Sequence, residues 1–269
     1  MRILKLALIA LLVVTGILYC VTTANRFLSG SHIPPTISCP ADTLEVSVSD
    51  DQAVLLAGIT ASDKQDGDLT DRILIQGVSK LITNDTAKVS YIVFDSDGNA
   101  ASASRTVRYT DYQRPHFSVH KALVYAENQE IKLLDRVSAL DSVDGDITQS
   151  IRVSALAATA DPEVQTVTLQ VTNSMGDTAQ LMLPLVIYSG TVVRPDVNLT
   201  DYVVYLEQGA SFDAARYLAS VSTPIGPGNT GDVQITGSVD TSVPGTYFVY
   251  YRYPYSVTVG LTVLTVVVE

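Results

Sequence analysis

Cysteine is scarce in this chain: Cys20 and Cys39 are the only two among 269 residues, too few for a disulfide framework. Cys20 lies inside an apolar run and Cys39 shortly beyond it, so the folded part must hold together without cross-links. A lipid-modified Cys20 is disfavoured, because Tyr19 before it is too large for the usual processing site. Histidine is nearly as rare, with His32, His116 and His120. The last two fall on one face of a strand in "RPHFSVHK", a spacing that suits a transition metal and equally an ordinary strand surface. No GxSxG, HExxH or CxxC occurs, so serine hydrolysis, zinc proteolysis and dithiol exchange all lack their usual residues. No enzymatic activity is expected. Positive charge is short as well. The chain has 17 Lys and Arg against 28 Asp and Glu, a net charge of −11. Residues 1–26 hold Arg2, Lys5 and Arg26 and no acid, leaving 14 basic and 28 acidic side chains, or −14, for the rest. Such a surface repels phosphate backbones, and no basic stripe offsets it, which excludes nucleic acid as a partner.

One long hydrophobic run is present. From Leu6 to Ala24 there are 19 residues without a charge, enough to cross a hydrocarbon core of roughly 30 Å as a helix. The flanking positive charge lies on the N-terminal side, which should stay in the cytoplasm. The resulting order is a cytoplasmic tip over 1–5, a transmembrane signal anchor over 6–24 and a linker over 25–34, with the remainder extracellular. A second reading stays open. Thr22 and Ala24 are small residues placed three and one before a cut at Asn25, as in a cleaved signal peptide, and the mature chain would then be secreted.

Beyond residue 30 no long amphipathic helix is evident, and the chain repeats itself. Pro35, Pro115 and Pro195 are spaced 80 residues apart, while Gly67 to Gly145 and Gly98 to Gly176 are each 78 apart. Two independent markers with nearly one offset indicate a tandem duplication, with a looser third copy. Within the copies "TLEVSV", "AKVSYIVF", "QTVTLQV" and "GTYFVYY" alternate apolar and polar residues and are rich in Val, Thr and Tyr. Turn signals such as "DSDGNA", "NSMGDT" and "SVPGT" separate them. Units of this size, built of short strands and opening on proline, are expected to be small β-sandwiches strung in a row.

The runs "LLAGITASDKQDGDLTDRI" and "VSYIVFDSDGNAASASRTVRY" closely resemble the bacterial immunoglobulin-like domain first described in pesticidal crystal proteins. Copy two keeps the acidic turn, but has Asn173, Met175 and Asp177 where copy one has Asp95, Asp97 and Asn99. Copy three matches best from Val239 to Tyr253 and has lost most of that turn. The resemblance implies an all-β fold of three tandem Ig-like β-sandwiches after the N-terminal helix, at 35–112, 113–191 and 192–269. Modules of this kind serve as spacers, adhesins and enzyme accessories, so it specifies fold far better than function.

Two features are candidates for chemistry. The first is the acidic turn, with Asp63, Asp66 and Asp68 in copy one and Asp141, Asp144 and Asp146 in copy two. Three carboxylates, a Thr70 or Thr148 hydroxyl and backbone carbonyls supply part of a calcium shell. They equally describe a turn in which Asp caps amides, Gly67 takes a positive φ and Leu69 or Ile147 returns to the core. The second is aromatic: eight of 14 tyrosines lie in copy three, five of them in "TYFVYYRYPYS". The resemblance turns Tyr247, Val249 and Tyr251 inward, leaving Phe248, Tyr250 and Arg252 as an exposed patch of the kind that binds proteins or sugars. The reading is a membrane-anchored bacterial surface protein acting as spacer or adhesion and binding module, its partner an extracellular protein or glycan. The alternative is a secreted accessory protein that binds carbohydrate after signal-peptide cleavage.

Overall fold

The computed structural model describes residues 2–29, 33–40, 43–189 and 193–269, with helix side chains described over 11–24. The expected linker over 25–34, and the side chains of residues 6–10 in the expected anchor, therefore lie partly outside the described residues. One α-helix, Arg2–Ser29, opens the chain. Its described residues, 11–24, are all exposed, Leu11, Leu12, Val14 and Leu18 by more than half. Among the described residues no helix is long and apolar enough to cross a membrane, so the anchor over 6–24 is not shown. Cys20 and Cys39 are both free.

Everything else is strand, turn and short 3-10 helix, and one pattern is used three times. In the first copy, Thr36–Ser38, Thr60–Asp63 and Gly67–Asp68 form a three-stranded sheet. A four-stranded sheet runs in the order Leu44–Val46, Ala100–Tyr109, Thr86–Phe94, Leu74–Val78. In every copy the second strand pairs parallel with the last, through Leu44 and Val107, Val124 and Val186, and Val203 and Thr265. All other pairs are antiparallel. The second and third copies repeat the sheet order, and the first two even share a bulge, between Ile75 and Gly77 and between Val153 and Ala155.

Two-residue periodicity decides which side chains enter each core. Along Thr86–Phe94 the residues Ala87, Val89, Tyr91 and Val93 are fully buried, while Lys88 and Phe94 face outward. The Tyr91 hydroxyl donates to the Leu55 carbonyl at 2.7 Å, which lets a large aromatic ring fill the core without an unpaired polar tip.

The chain forms two compact units, 1–110 and 111–269. In the second unit the second and third sandwiches pack against each other. Within the second unit one apolar cluster contains Phe117, Tyr125 and Leu183 from the second sandwich with Val197, Tyr251 and Leu264 from the third. The strand Thr258–Val268 explains the fusion. Leu264 and Val266 point into their own sandwich, while Leu261 and Val263 point the other way, onto Val164 and Val186 of the second. A sheet covered on both faces has no alternation left to show, and its strand reads as the nearly continuous apolar run "GLTVLTVVV".

Candidate functional site

The acidic turns are held by their own backbone. Asp63 Oδ1 accepts from the Gln65 and Asp66 amides at 2.6 and 3.0 Å, and Asp141 Oδ1 from Val143 and Asp144 at 2.9 Å each. Asp68 and Asp146 cap the following 3-10 turns through the Thr70 and Thr148 amides, each at 2.9 Å. Gly67 and Gly145 adopt φ values of 77° and 70°, where a side chain would be strained. Leu69 and Ile147 are buried directly behind.

The remaining acids reach farther. Asp66 accepts the Ser96 amide at 2.6 Å and its hydroxyl at 2.7 Å, and Asp144 takes the Ser174 amide and hydroxyl at 2.6 Å each. Each thereby clamps the acidic turn to the Gly98 or Gly176 hairpin. The Ser96 amide, then its hydroxyl, holds the Asp66 carboxyl below the usual range, and the Thr70 and Thr148 bonds do the same for Asp68 and Asp146. The three acids of each turn thus face three different sets of donors. Among the described residues no group of three or more His, Cys, Asp or Glu side chains is placed to hold a metal ion. Oδ1 of Asp63, Asp68, Asp141 and Asp146 and both oxygens of Asp66 and Asp144 accept amides or hydroxyls, so the six acids in which calcium ligands were expected build and fasten the turns.

In copy two the clamp extends into a network. Asn173 Nδ2 donates to Asp141 Oδ2 at 3.0 Å and to the Tyr112 hydroxyl at 2.8 Å. Tyr112 in turn donates to Asp177 at 2.9 Å, and Arg114 grips Asp177 with two nitrogens at 3.1 and 3.0 Å. Burial alone would raise the Asp177 pKa, but the Arg114 and Tyr112 bonds together bring it below the usual carboxylate range. Among the described residues His116 and His120 belong to no group of three or more His, Cys, Asp or Glu side chains. The first shares a hydrogen bond with the Arg114 carbonyl at 2.6 Å, the second with the Ser138 hydroxyl at 2.7 Å.

The aromatic patch also changes role. Phe248 and Tyr250 are half-buried against the cluster of Val164, Val186, Leu261 and Val263. Arg252 donates to Asp161 of the second sandwich at 2.8 Å and lies over the Tyr250 ring at 5.0 Å. Phe248, Tyr250 and Arg252 were expected to be open to solvent. They instead close the joint between two sandwiches, because the sheet carrying them buries its outer face. Arg194, which pairs with Glu163 at 3.0 Å and covers the Tyr188 ring at 4.8 Å, works beside them. On the far side the Tyr205 hydroxyl exchanges hydrogen bonds with both backbone groups of Phe117, at 3.0 and 3.2 Å. Burial pushes its pKa up to about 12.

Two clefts flank this joint. One, of about 280 Å³, is walled by Lys121 and Arg136 of the second sandwich and by Asp196 and Asn198 of the third. The other, of about 330 Å³, lies between Arg114, His116, Gln180, Tyr205 and Glu269. Neither cleft is legible from single copies of the repeat, since each exists only where two copies meet.

No protein-family model matches the chain, and no curated protein is similar to it. Among solved structures it is similar to the M60 catalytic domain with two CBM51 domains of Clostridium perfringens ZmpB. That pair shares 12% identity over 88% of this chain and 31% of the other, with a TM-score of 0.25. The protocadherin GammaB4 extracellular domain gives 13% identity over 88% of this chain and 51% of the other, with a TM-score of 0.23. Human CDH23 EC21-23 gives 14% identity over 87% and 100%, again with a TM-score of 0.23. The chain thus spans about a third of the first of these and half of the second. Similarity this loose bears on neither ligand nor function.

Proposed function

We propose that this chain is an exported bacterial binding module of the surface, tethered by its apolar N-terminal helix, with binding rather than catalysis as its task. The observation that carries the reading is the fusion of the second and third sandwiches. Two repeats that share a core form one compact unit, and their joint creates clefts lined by polar and charged side chains that neither repeat has alone. The tether is supported by the apolar side chains that the helix leaves exposed along its described length. The Ig-like resemblance of the first two copies agrees with a surface role.

Fractionation of cells expressing the full chain tests the tether: the protein should stay with membranes through an alkaline carbonate wash. A mature chain starting near Asn25 in the medium would instead establish the secreted form. Binding is tested by retaining the purified chain on immobilised envelope and extracellular polysaccharides, neutral and acidic. Retention on none of them would overturn the glycan part of the reading.

A further inference from the structure

We infer that the 280 Å³ cleft between the second and third sandwiches binds a carboxylated sugar residue, with Lys121 and Arg136 on the carboxylate and Asp196 and Asn198 on the hydroxyls. This rests on the binding role proposed above and names its ligand class. The two cations come from adjacent backbone. Lys121 follows His120, whose amide donates to the Arg136 carbonyl at 2.8 Å, so both side chains rise from neighbouring strand ends. Arg136 is fixed in place: Nη1 donates to the Ala122 and Val124 carbonyls at 2.5 and 3.0 Å, and the guanidinium covers the Tyr125 ring at 4.0 Å. Among the described residues neither Lys121 nor Arg136 forms an ion pair with a carboxylate, Asp196 included. In a chain with 28 acids against 17 bases, two cations in one cleft that form no ion pair favour an anion.

The opposite wall argues for a sugar over a simple anion. Asp196 and Asn198 lie two apart on the strand Asp196–Leu199 and share the face opposite to the buried Val197. Asn198 donates to Ser220 at 3.3 Å, which leaves its side-chain carbonyl as an acceptor. A carboxylate and an amide carbonyl side by side accept from hydroxyls, and Gln129 adds a further polar group at the rim. Val186, Leu261 and Pro195 give the same cleft apolar surface for ring C–H groups. Its volume falls just under the usual range for small-molecule pockets, the size for one ring rather than a long chain segment.

The test is titration of the full chain with glucuronate and with glucose, followed by isothermal calorimetry or by chemical shifts. Glucuronate should bind saturably and glucose about tenfold more weakly or worse, because only the former meets the cations. Lys121→Gln should weaken glucuronate by about tenfold, and Asp196→Asn should weaken it while changing the preference among hydroxyl epimers. Lys121 is exposed, and an unchanged thermal midpoint will show that the variant folds. Equal binding of both sugars, no saturable glucuronate binding, or full binding by Lys121→Gln would each overturn the inference. Retention on a neutral polysaccharide that survives Lys121→Gln, with no saturable glucuronate binding, overturns the inference but leaves the broader binding role standing.

Discussion

At the residue scale, the acids that look like a site act as fasteners. Asp66 and Ser96, like Asp144 and Ser174, stand 30 residues apart and make the same two bonds in both copies. That shared offset was present in the sequence, but the local signal for a turn or a cation masked it. Asp141 carries the most: it is 7% exposed and accepts three donors, from Val143, Asp144 and Asn173. Asp141→Ala leaves those donors unpaired in a dry site and should cost about 1–3 kcal/mol in urea unfolding. The melting midpoint of the parent chain should be the same in chelator and in millimolar calcium, since the acids of each turn face separate donors rather than one common point. Asp177 adds a pH dependence. Its carboxyl sits below the ordinary aspartate range in the folded chain, so it contributes stability above the pKa of the unfolded chain. The contribution fades as pH falls through the lowered folded pKa. Urea unfolding of the parent and of Asp177→Asn should therefore differ most near neutral pH and converge below about pH 4.

At the element scale, strand type was legible wherever one face of a sheet is solvated. Thr86–Phe94 alternates in sequence and alternates in burial. The strand Gly245–Tyr255 alternates in sequence too, and there the rule fails for the outer face. Period two reports which residues share a face, but it does not report what covers that face. The continuous run "GLTVLTVVV" was the available clue, since a strand half in water has no need of Leu261 and Val263 opposite Leu264 and Val266. Gly260 marks where this strand meets the start of its own sandwich: a Cβ there would stand 2.5 Å from the Pro195 carbonyl oxygen. Gly260→Ala must push the Pro195 segment away, and because Pro195 also lines the cleft, the variant should lose both stability and glucuronate binding. Leu261→Ala empties the seam without that displacement and should cost about 2–5 kcal/mol by chemical denaturation.

At the scale of the whole molecule, a threefold repeat in sequence becomes a twofold division in structure. Proline spacing of 80 residues counts copies, and it counts them correctly as repeated topology. It carries no information on which neighbours share a core, because that depends on outward side chains that differ from copy to copy. In the first copy the strand Ala100–Tyr109 turns Ser102, Ser104 and Thr106 outward, whereas the third copy places Leu261, Val263 and Thr265 on the matching face. Serine and threonine there suit water; leucine and valine require a partner, and Val164 and Val186 provide it. The ion pairs Arg252 with Asp161 and Arg194 with Glu163 then fix the register of that contact at its rim. Calorimetry of the full chain should accordingly show two unfolding transitions rather than three, one for 1–110 and one for 111–269. Leu261→Ala should lower the midpoint of one transition and leave the other in place, since the first unit has no part in that seam. Three separable transitions, or an equal shift of both by Leu261→Ala, would show that the second and third sandwiches do not fold as one body.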